Sequence, residues 1–399
     1  MFLTSSVQKI TDKLAKSTNL DFSRVHYLVA PSRRTARGDG LSDAGGSNIG
    51  FYINLPAGAL AAIVFVYMHI PEQTTKQHAL SILRRLHKYL DLLGFILFAA
   101  AVLQLLLALQ YGGAVYSWGS SRVIGLFCGA FATFITWFFW NRHKGLDALL
   151  PHTLIKRTEV WTSALYQAFM MSAIYGAIYY LPIYFQAIND ASPMLSGVYL
   201  LPLILPQLFV GASSGAIITK IGYVIPLAIF STVLLTVGSG LYSLLQPDSA
   251  TGLWVGFQII AGVGSGAGLQ VAIIAIQAVV TGRELSSSMA FMVLGQSLGS
   301  AIVLALCNVV FSTSLKTKLA QEAPNVDPAS VIYAGATEYR RQVRAEDLAN
   351  VVIAYAGSID NVFYLIAGVS AGCGLVVWGM GWHDLREKAH RPNDSEKQP

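Results

Sequence analysis

Seven amide side chains sit inside long apolar runs of this chain: Gln167, Gln207, Gln258, Gln270, Gln277, Gln296 and Asn308. An amide turned toward hydrocarbon costs free energy, so each should face a neighbouring helix or a wet cavity. Gln270 and Gln277 are spaced to share one helix face. Gln167, Met171, Tyr175 and Tyr179 recur at helical spacing and form a stripe. A surface of amides, phenols and a thioether suits a bulky, mostly apolar, uncharged ligand. Few hydrogen bonds and soft side chains permit broad choice of ligand. The same residues can also serve simply as hydrogen bonds between helices.

Other chemistry is thin. Cys128, Cys307 and Cys373 lie far apart in apolar runs, which gives neither a disulfide framework nor metal-ligand spacing. The histidines are scattered without an H-x-x-H pattern. No carboxylate reads as lying deep in an apolar run. Asp91 stands at the entry of one and Glu284 in a short loop. Ser287 and Ser288 have no convergent histidine to act as base. A membrane enzyme is therefore a distant alternative, and neither cofactor nor metal is expected.

The elements that must position these residues follow from composition. Of 399 residues, 54% are apolar and 12% charged, with a mean hydropathy of +0.53. Such a chain cannot cover a soluble core with polar surface, so its solvent is lipid. The net charge of +6 falls mainly in loops between apolar runs, which favours a bilayer over a nucleic acid as partner. The runs are 51–70, 90–111, 121–140, 161–186, 195–218, 223–245, 253–280, 288–311 and 361–382. Each can cross a hydrocarbon core of ~30 Å. The expected fold is an all-α integral membrane bundle of about nine helices. Residues 1–50 read as a polar, disordered tail. Residues 71–160 read as basic loops around two linking helices, 161–382 as a six-helix unit, 312–360 as a long polar loop inside it, and 383–399 as a charged tail.

The hub of the pattern is Tyr179–Pro202, YYLPIYFQAINDASPMLSGVYLLP. Pro182 and Pro193 punctuate a polar break, where Asn189, Asp190 and Ser192 can bond the freed backbone. Pro202, Pro206 and Pro226 add candidate kinks. Gly211/Gly215, Gly262/Gly266, Gly264/Gly268, Gly295/Gly299 and Gly368/Gly372 have the spacing that lets helices approach closely. Loops 71–89, 141–160, 219–222 and 281–287 carry most short-loop Lys and Arg, which places them in the cytoplasm. Strict alternation then puts the C-terminal tail inside and residues 1–50 outside. The basic tail, with Lys9, Lys13, Lys16, Arg24, Arg33, Arg34 and Arg37, conflicts with that side.

FYINLPAG, YYLPIYFQ, SGVYLLP, GLQVAIIAIQ and AGATEYRRQV occur in this order between residues 51 and 343. Together they resemble the fungal 14-span branch of the major facilitator superfamily, the drug:proton antiporters. The resemblance implies a major facilitator-type bundle that exports hydrophobic small molecules: toxins, drugs or secondary metabolites. It implies proton exchange in the intact family and residence in the plasma membrane, or alternatively the vacuolar membrane. GASSGAIITKIGY (Gly211–Tyr223) resembles the C-half counterpart of the superfamily's loop signature, which implies a gate role for Lys220 and Gly222. Ser47, Asn48, Ile49 and Gly50 depart from the family pattern before Phe51. The resemblance then implies that 51–70 is the last helix of an N-terminal half whose first five spans are missing. A transport-incompetent fragment is the alternative, with self-association through the incomplete half.

Overall fold

The computed structural model describes residues 58–59, 91–113, 115–145, 148, 150, 156–281, 283–384 and 386. The chain divides into two units, Met1–Ala79 and Leu80–Pro399, and the helices belong to the second. The expected disordered tail at 1–50, the expected span at 51–70 and the charged tail beyond 386 lie outside the described residues, apart from residues 58 and 59.

The helices are α1 (Leu92–Tyr111), α2 (Ser121–Lys144), α3 (Thr158–Ala187), α4 (Pro193–Val198), α5 (Leu201–Ile221), α6 (Ile225–Leu241), α7 (Thr251–Gly268), α8 (Val271–Val279), α9 (Arg283–Glu322), α10 (Pro328–Gln342) and α11 (Ala345–Val376). Taking α4 with α5 and α7 with α8, eight segments among the described residues are long and apolar enough to cross a membrane. Among the described residues there is no strand; a lone bridge between Gly112 and Tyr116 closes the α1–α2 turn.

Local sequence explains the boundaries. Asp91 caps α1 by accepting the Gly94 N–H at 3.0 Å, and its Oδ1 also accepts Trp140 Nε1–H of α2 at 2.9 Å. One carboxylate thus starts α1 and ties it to its hairpin partner. Ser192 caps α4, and Pro193 occupies the first turn, where no N–H is needed. The α4–α5 break falls at Tyr199–Leu200, just ahead of Pro202, whose ring disfavours a continuous helix. Gly222 ends α5 at φ 86°, a left-handed conformation that suits glycine.

Three expectations change. Pro182 does not mark the break, because α3 runs through it to Ala187. Neighbouring helices in a membrane bundle can support the backbone group that proline frees. The chain turns later, at Asp190, with φ 54°. The run 253–280 is two helices, α7 and α8, separated by a turn at Leu269–Gln270 after the glycine-rich GVGSGAG. The polar loop expected at 312–360 is mostly helix: α9 continues to Glu322, α10 fills the middle, and α11 begins at Ala345. Hydropathy reports where a segment stops partitioning into lipid, not where its helix stops. Lys, Glu, Ala and Leu are good helix formers in water. At ~1.5 Å per residue, the 40 residues of α9 exceed a ~30 Å core about twofold.

Helix α3 is central. It packs against α9, α11 and α8, while α7 lies between α5 and α6. Tyr166, Met170, Tyr180, Leu181 and Phe185 of α3 are fully buried. The α1–α2 hairpin packs on itself and, along α1, against α9. Within the body the helices are nearly in backbone contact. A Cβ on Gly266 would stand 2.6 Å from the Gln207 carbonyl oxygen, and one on Gly264 2.5 Å from the Leu235 nitrogen. Ser231 of α6 donates to the Gly264 carbonyl at 2.7 Å across that approach.

Candidate functional site

Three groups of residues could act on a ligand: the exposed side of α3, the end of the body under α10, and the opposite end near Arg157. The helical stripe on α3 is not uniform. Gln167 is buried, Met171 half-buried, and Tyr175 and Tyr179 are 46% and 54% exposed. The Gln167 Nε2–H donates to Gln296 Oε1 of α9 over a long 3.5 Å. Gln167 therefore joins α3 to α9, while the two phenols stand on the body's surface. Of the other amides, Gln207 and Gln296 are half-buried, and Gln270, Gln277 and Asn308 are exposed. Gln258 of α7 is wholly buried, and neither end of its amide meets a protein partner.

The glycines divide in the same way. Gly262 and Gly266 face the α5 backbone at Leu203 and Gln207, Gly211 faces Leu269, and Gly299 faces Ala168. A Cβ on Gly295 would touch Ala164 at an ordinary 3.6 Å, and one on Gly215 would meet open space.

The end under α10 carries a contact that sequence reasoning missed. Tyr339 O–H donates to the Ala187 carbonyl at 2.6 Å. Arg340 Nη2 donates to the Ala187 and Ile188 carbonyls, each at 2.9 Å, and Arg340 Nε lies 3.4 Å from Asp190 Oδ1. These carbonyls end α3, where a helix presents unpaired acceptors and partial negative charge. A guanidinium matches both. Asp327 caps α10 by accepting the Ala329 and Ser330 N–H groups, which sets the helix across that end. Burial holds the Tyr339 phenol above its usual pKa, with Arg340 pulling the other way. AGATEYRRQV was visible as a motif, but its target, two carbonyls some 150 residues away, was not.

From Tyr339 a chain of rings leads into the body. Tyr339 stacks on Tyr355 with centroids 4.8 Å apart, Tyr355 meets Phe311 at 5.8 Å, Phe311 meets Tyr180 at 5.8 Å, and Tyr180 meets the exposed Tyr179 at 5.2 Å. The same end holds a carboxylate inside a helix, contrary to expectation. Asp360 lies midway along α11, half-buried, and its Oδ1 has no protein partner. The Lys318 stem of α9 crosses α11 at Gly357, one turn earlier, where a Cβ would collide with it. Beside it, Asn361 Nδ2 donates to Ser314 Oγ at 2.9 Å. Asp360 was assigned to a loop because the charges before it end the apolar run.

At the opposite end Arg157 pairs with Glu284 at 3.1 Å and donates to the Val279 carbonyl at 3.1 Å. One side chain so joins the starts of α3 and α9 to the end of α8. Lys220 is exposed. Its carbonyl accepts from the Arg386 guanidinium, and Gly222 packs beside Arg386 and Asp384. His383 Nε2 lies 3.9 Å from Glu159.

The described residues thus hold a six-helix body with an exposed phenol face and a two-helix hairpin beside it. The sequence is 44% identical over 348 residues to an MFS-type transporter, pigP, of Monascus ruber, covering 87% of this chain and 61% of that protein. It is 41% identical over 358 residues to the efflux pump mlcE of Penicillium citrinum, covering 88% of this chain and 64% of that one. It is 35% identical over 371 residues to the efflux pump roqT of Penicillium rubens, covering 92% of this chain and 68% of that pump. The chain belongs to the MFS-type transporter family. No family model matches the sequence. The chain spans a little over three-fifths of the length of the first two of these relatives. As a member of this family it is a multi-pass membrane protein, and the relatives named above are transporters and efflux pumps.

Proposed function

We propose that the chain serves in the export of uncharged, largely apolar small molecules, with residues 161–382 acting as the C-terminal six-helix half of a major facilitator transporter. The observation that carries this reading is the exposed phenol face of α3, Tyr175 and Tyr179, in a chain related to named efflux pumps. Phenols offer stacking area and one hydrogen bond each without demanding a particular ligand. In this reading Met171, Tyr175, Tyr179, Gln207, Gln270, Gln277, Gln296 and Asn308 line the ligand path. Gln167 ties α3 to α9 behind it, and Gln258 lies sealed within α7. Gly211, Gly215, Gly262, Gly266, Gly295 and Gly299 are the sliding seams, and Lys220 with Gly222 forms the gate. Exchange for protons and residence in the plasma membrane complete the proposal.

The test is uptake of a neutral lipophilic dye, Nile red, into inside-out yeast vesicles carrying the full chain, with and without a protonophore. The expected result is dye accumulation that the protonophore abolishes and Tyr179→Ala reduces several-fold. Accumulation indifferent to Tyr179→Ala would overturn the assigned face. In a second reading the same exposed face of α3 is an association surface: the chain carries no transport of its own and pairs with another copy or half through Tyr175 and Tyr179. That reading expects no accumulation from well-folded protein, together with cysteine cross-linking between copies at position 175.

A further inference from the structure

The joint between the α1–α2 hairpin and α9 is not packed like the body. It leaves a half-open cavity of about 320 Å³ whose walls include Phe98, Ala101 and Leu105 of α1, Phe131 and Phe134 of α2, and Leu298 of α9. Protein interiors rarely leave voids much larger than a water molecule. The lining residues are all apolar, so water gains no partners there. Phe131, 69% exposed, and Phe134 stand at its outer rim, which opens the space to the surroundings of the hairpin.

Depth identifies what can enter. Ala101 is the tenth of 20 residues in α1, and Ala130, another wall residue, the tenth of 24 in α2. Both lie ~15 Å from the nearer helix ends, close to the middle of a hydrocarbon core. A lipid headgroup cannot follow to that depth, but its chain can. At roughly 30 Å³ for a group the size of a water or a methylene, the space holds about ten. That fits the inner part of one acyl chain, whose flexible methylenes can follow the walls where a rigid four-ring sterol cannot bend. The joint has its own polar clasp above the cavity. Lys316 Nζ of α9 donates to the Gly113 carbonyl in the α1–α2 turn at 2.8 Å. The clasp holds the hairpin beside the body while the middle stays open.

We propose that this cavity is a lipid site in which one phospholipid acyl chain fills the joint between the hairpin and α9. Such a chain completes the apolar packing and lets the hairpin shift against α9 without leaving a void.

The full chain is reconstituted in nanodiscs of phosphatidylcholine carrying a diazirine midway along one acyl chain. After photolysis, adducts are mapped by mass spectrometry. The expected result is adducts concentrated on Phe131, Leu105 and Leu298, above those at the outward-facing Leu103 and Phe139. Ala101→Phe, which fills the cavity, lowers the cavity adducts several-fold and leaves those at Phe139 unchanged. Ala130→Leu does the same should Ala101→Phe prove unstable. Equal labelling inside and outside the cavity overturns the proposal, as does labelling that survives both fillings. A parallel sample with a diazirine sterol decides the source: sterol adducts at Leu298 without phosphatidylcholine adducts would overturn the acyl-chain assignment. Absence of both, with residues 51–70 cross-linking to a photoreactive residue at position 131, would mean the chain closes the cavity itself.

Discussion

The six-helix body and the α1–α2 hairpin are both apolar enough to cross a membrane, yet they are held together by different means. In the body, glycines let backbones meet and serine hydroxyls bridge them, as Ser231 does to the Gly264 carbonyl. In the hairpin no backbone approach of that kind joins α1 to α2 among the described glycines, and rings fill the seam: Phe98 and Phe134 flank Trp137 at centroid distances of 5.0 and 5.2 Å. Hydrophobic burial does not distinguish the two in lipid, because the surrounding tails are as apolar as the side chains. Close approach and polar bridges do. The glycine seams of the body should therefore be intolerant of added volume, and the open flank of the hairpin tolerant of it.

The sharpest way to break this comparison is one substitution made in both regions. Gly266→Ala places a methyl 2.6 Å from a backbone oxygen, where nothing flexible can yield. It should cost about 3 kcal/mol and lower the yield of monodisperse protein in detergent. Gly125→Ala in α2 meets nothing within 4 Å. It should be neutral or stabilise by roughly 0.5–1 kcal/mol, because alanine is the better helix former. Equal thermal midpoints for the two variants would remove the distinction.

The clasps come next. Arg340→Met removes the bonds to two α3 carbonyls and the contact with Asp190, a loss of about 2 kcal/mol for charge-assisted bonds. Hydrogen exchange should rise across 328–342 and at 187–192 while the rest of the body keeps its protection. Lys316→Met releases the Gly113 carbonyl at a cost of about 1 kcal/mol. Its exchange signature should be confined to the turn at 112–116. A global loss of protection from Lys316→Met would mean that the hairpin is part of the body's cooperative unit.

Much of this architecture was legible because a membrane crossing needs only length and apolarity, and the runs from 90 to 311 have both. The segment 312–360 was not legible, because Lys316, Lys318, Glu346 and Asp347 end the apolar signal without ending helix formation. The α3 stripe was half legible. Successive steps of four residues advance a helix ~400°, so a stripe drifts ~40° per step and ~120° from Gln167 to Tyr179. That drift carries Gln167 into the α9 seam and Tyr179 onto the open surface. The Arg340 clasp was out of reach, since nothing local to RRQ names the end of a helix far away in sequence. Asp360 shows the same limit: its burial comes from the helices around α11, not from its neighbours in the chain.

The smallest expected effect has the most informative sign. Gln258 stands one turn from Trp254 on α7, whose ring meets Phe185 at 4.9 Å and Tyr199 at 5.0 Å. Its amide is sealed beside that aromatic cluster and makes no hydrogen bond to the protein. A buried amide without partners costs about 1–3 kcal/mol, and a leucine of similar volume avoids that cost. Gln258→Leu should therefore raise the thermal midpoint slightly, by the equivalent of ~1 kcal/mol after repacking losses. Gln167→Leu makes the opposing case inside the same body. That amide reaches Gln296 through its Nε2, though its Oε1 has no partner either; losing the bond across helices leaves the Gln296 oxygen without its donor, and the midpoint should fall. If both variants fall together, Gln258 has a hydrogen-bonding partner in the membrane-embedded protein, and the body around α7 is wetter than its glycine packing implies. If they part in sign, the seams of the body are dry, and its polar side chains stabilise only where they meet across helices.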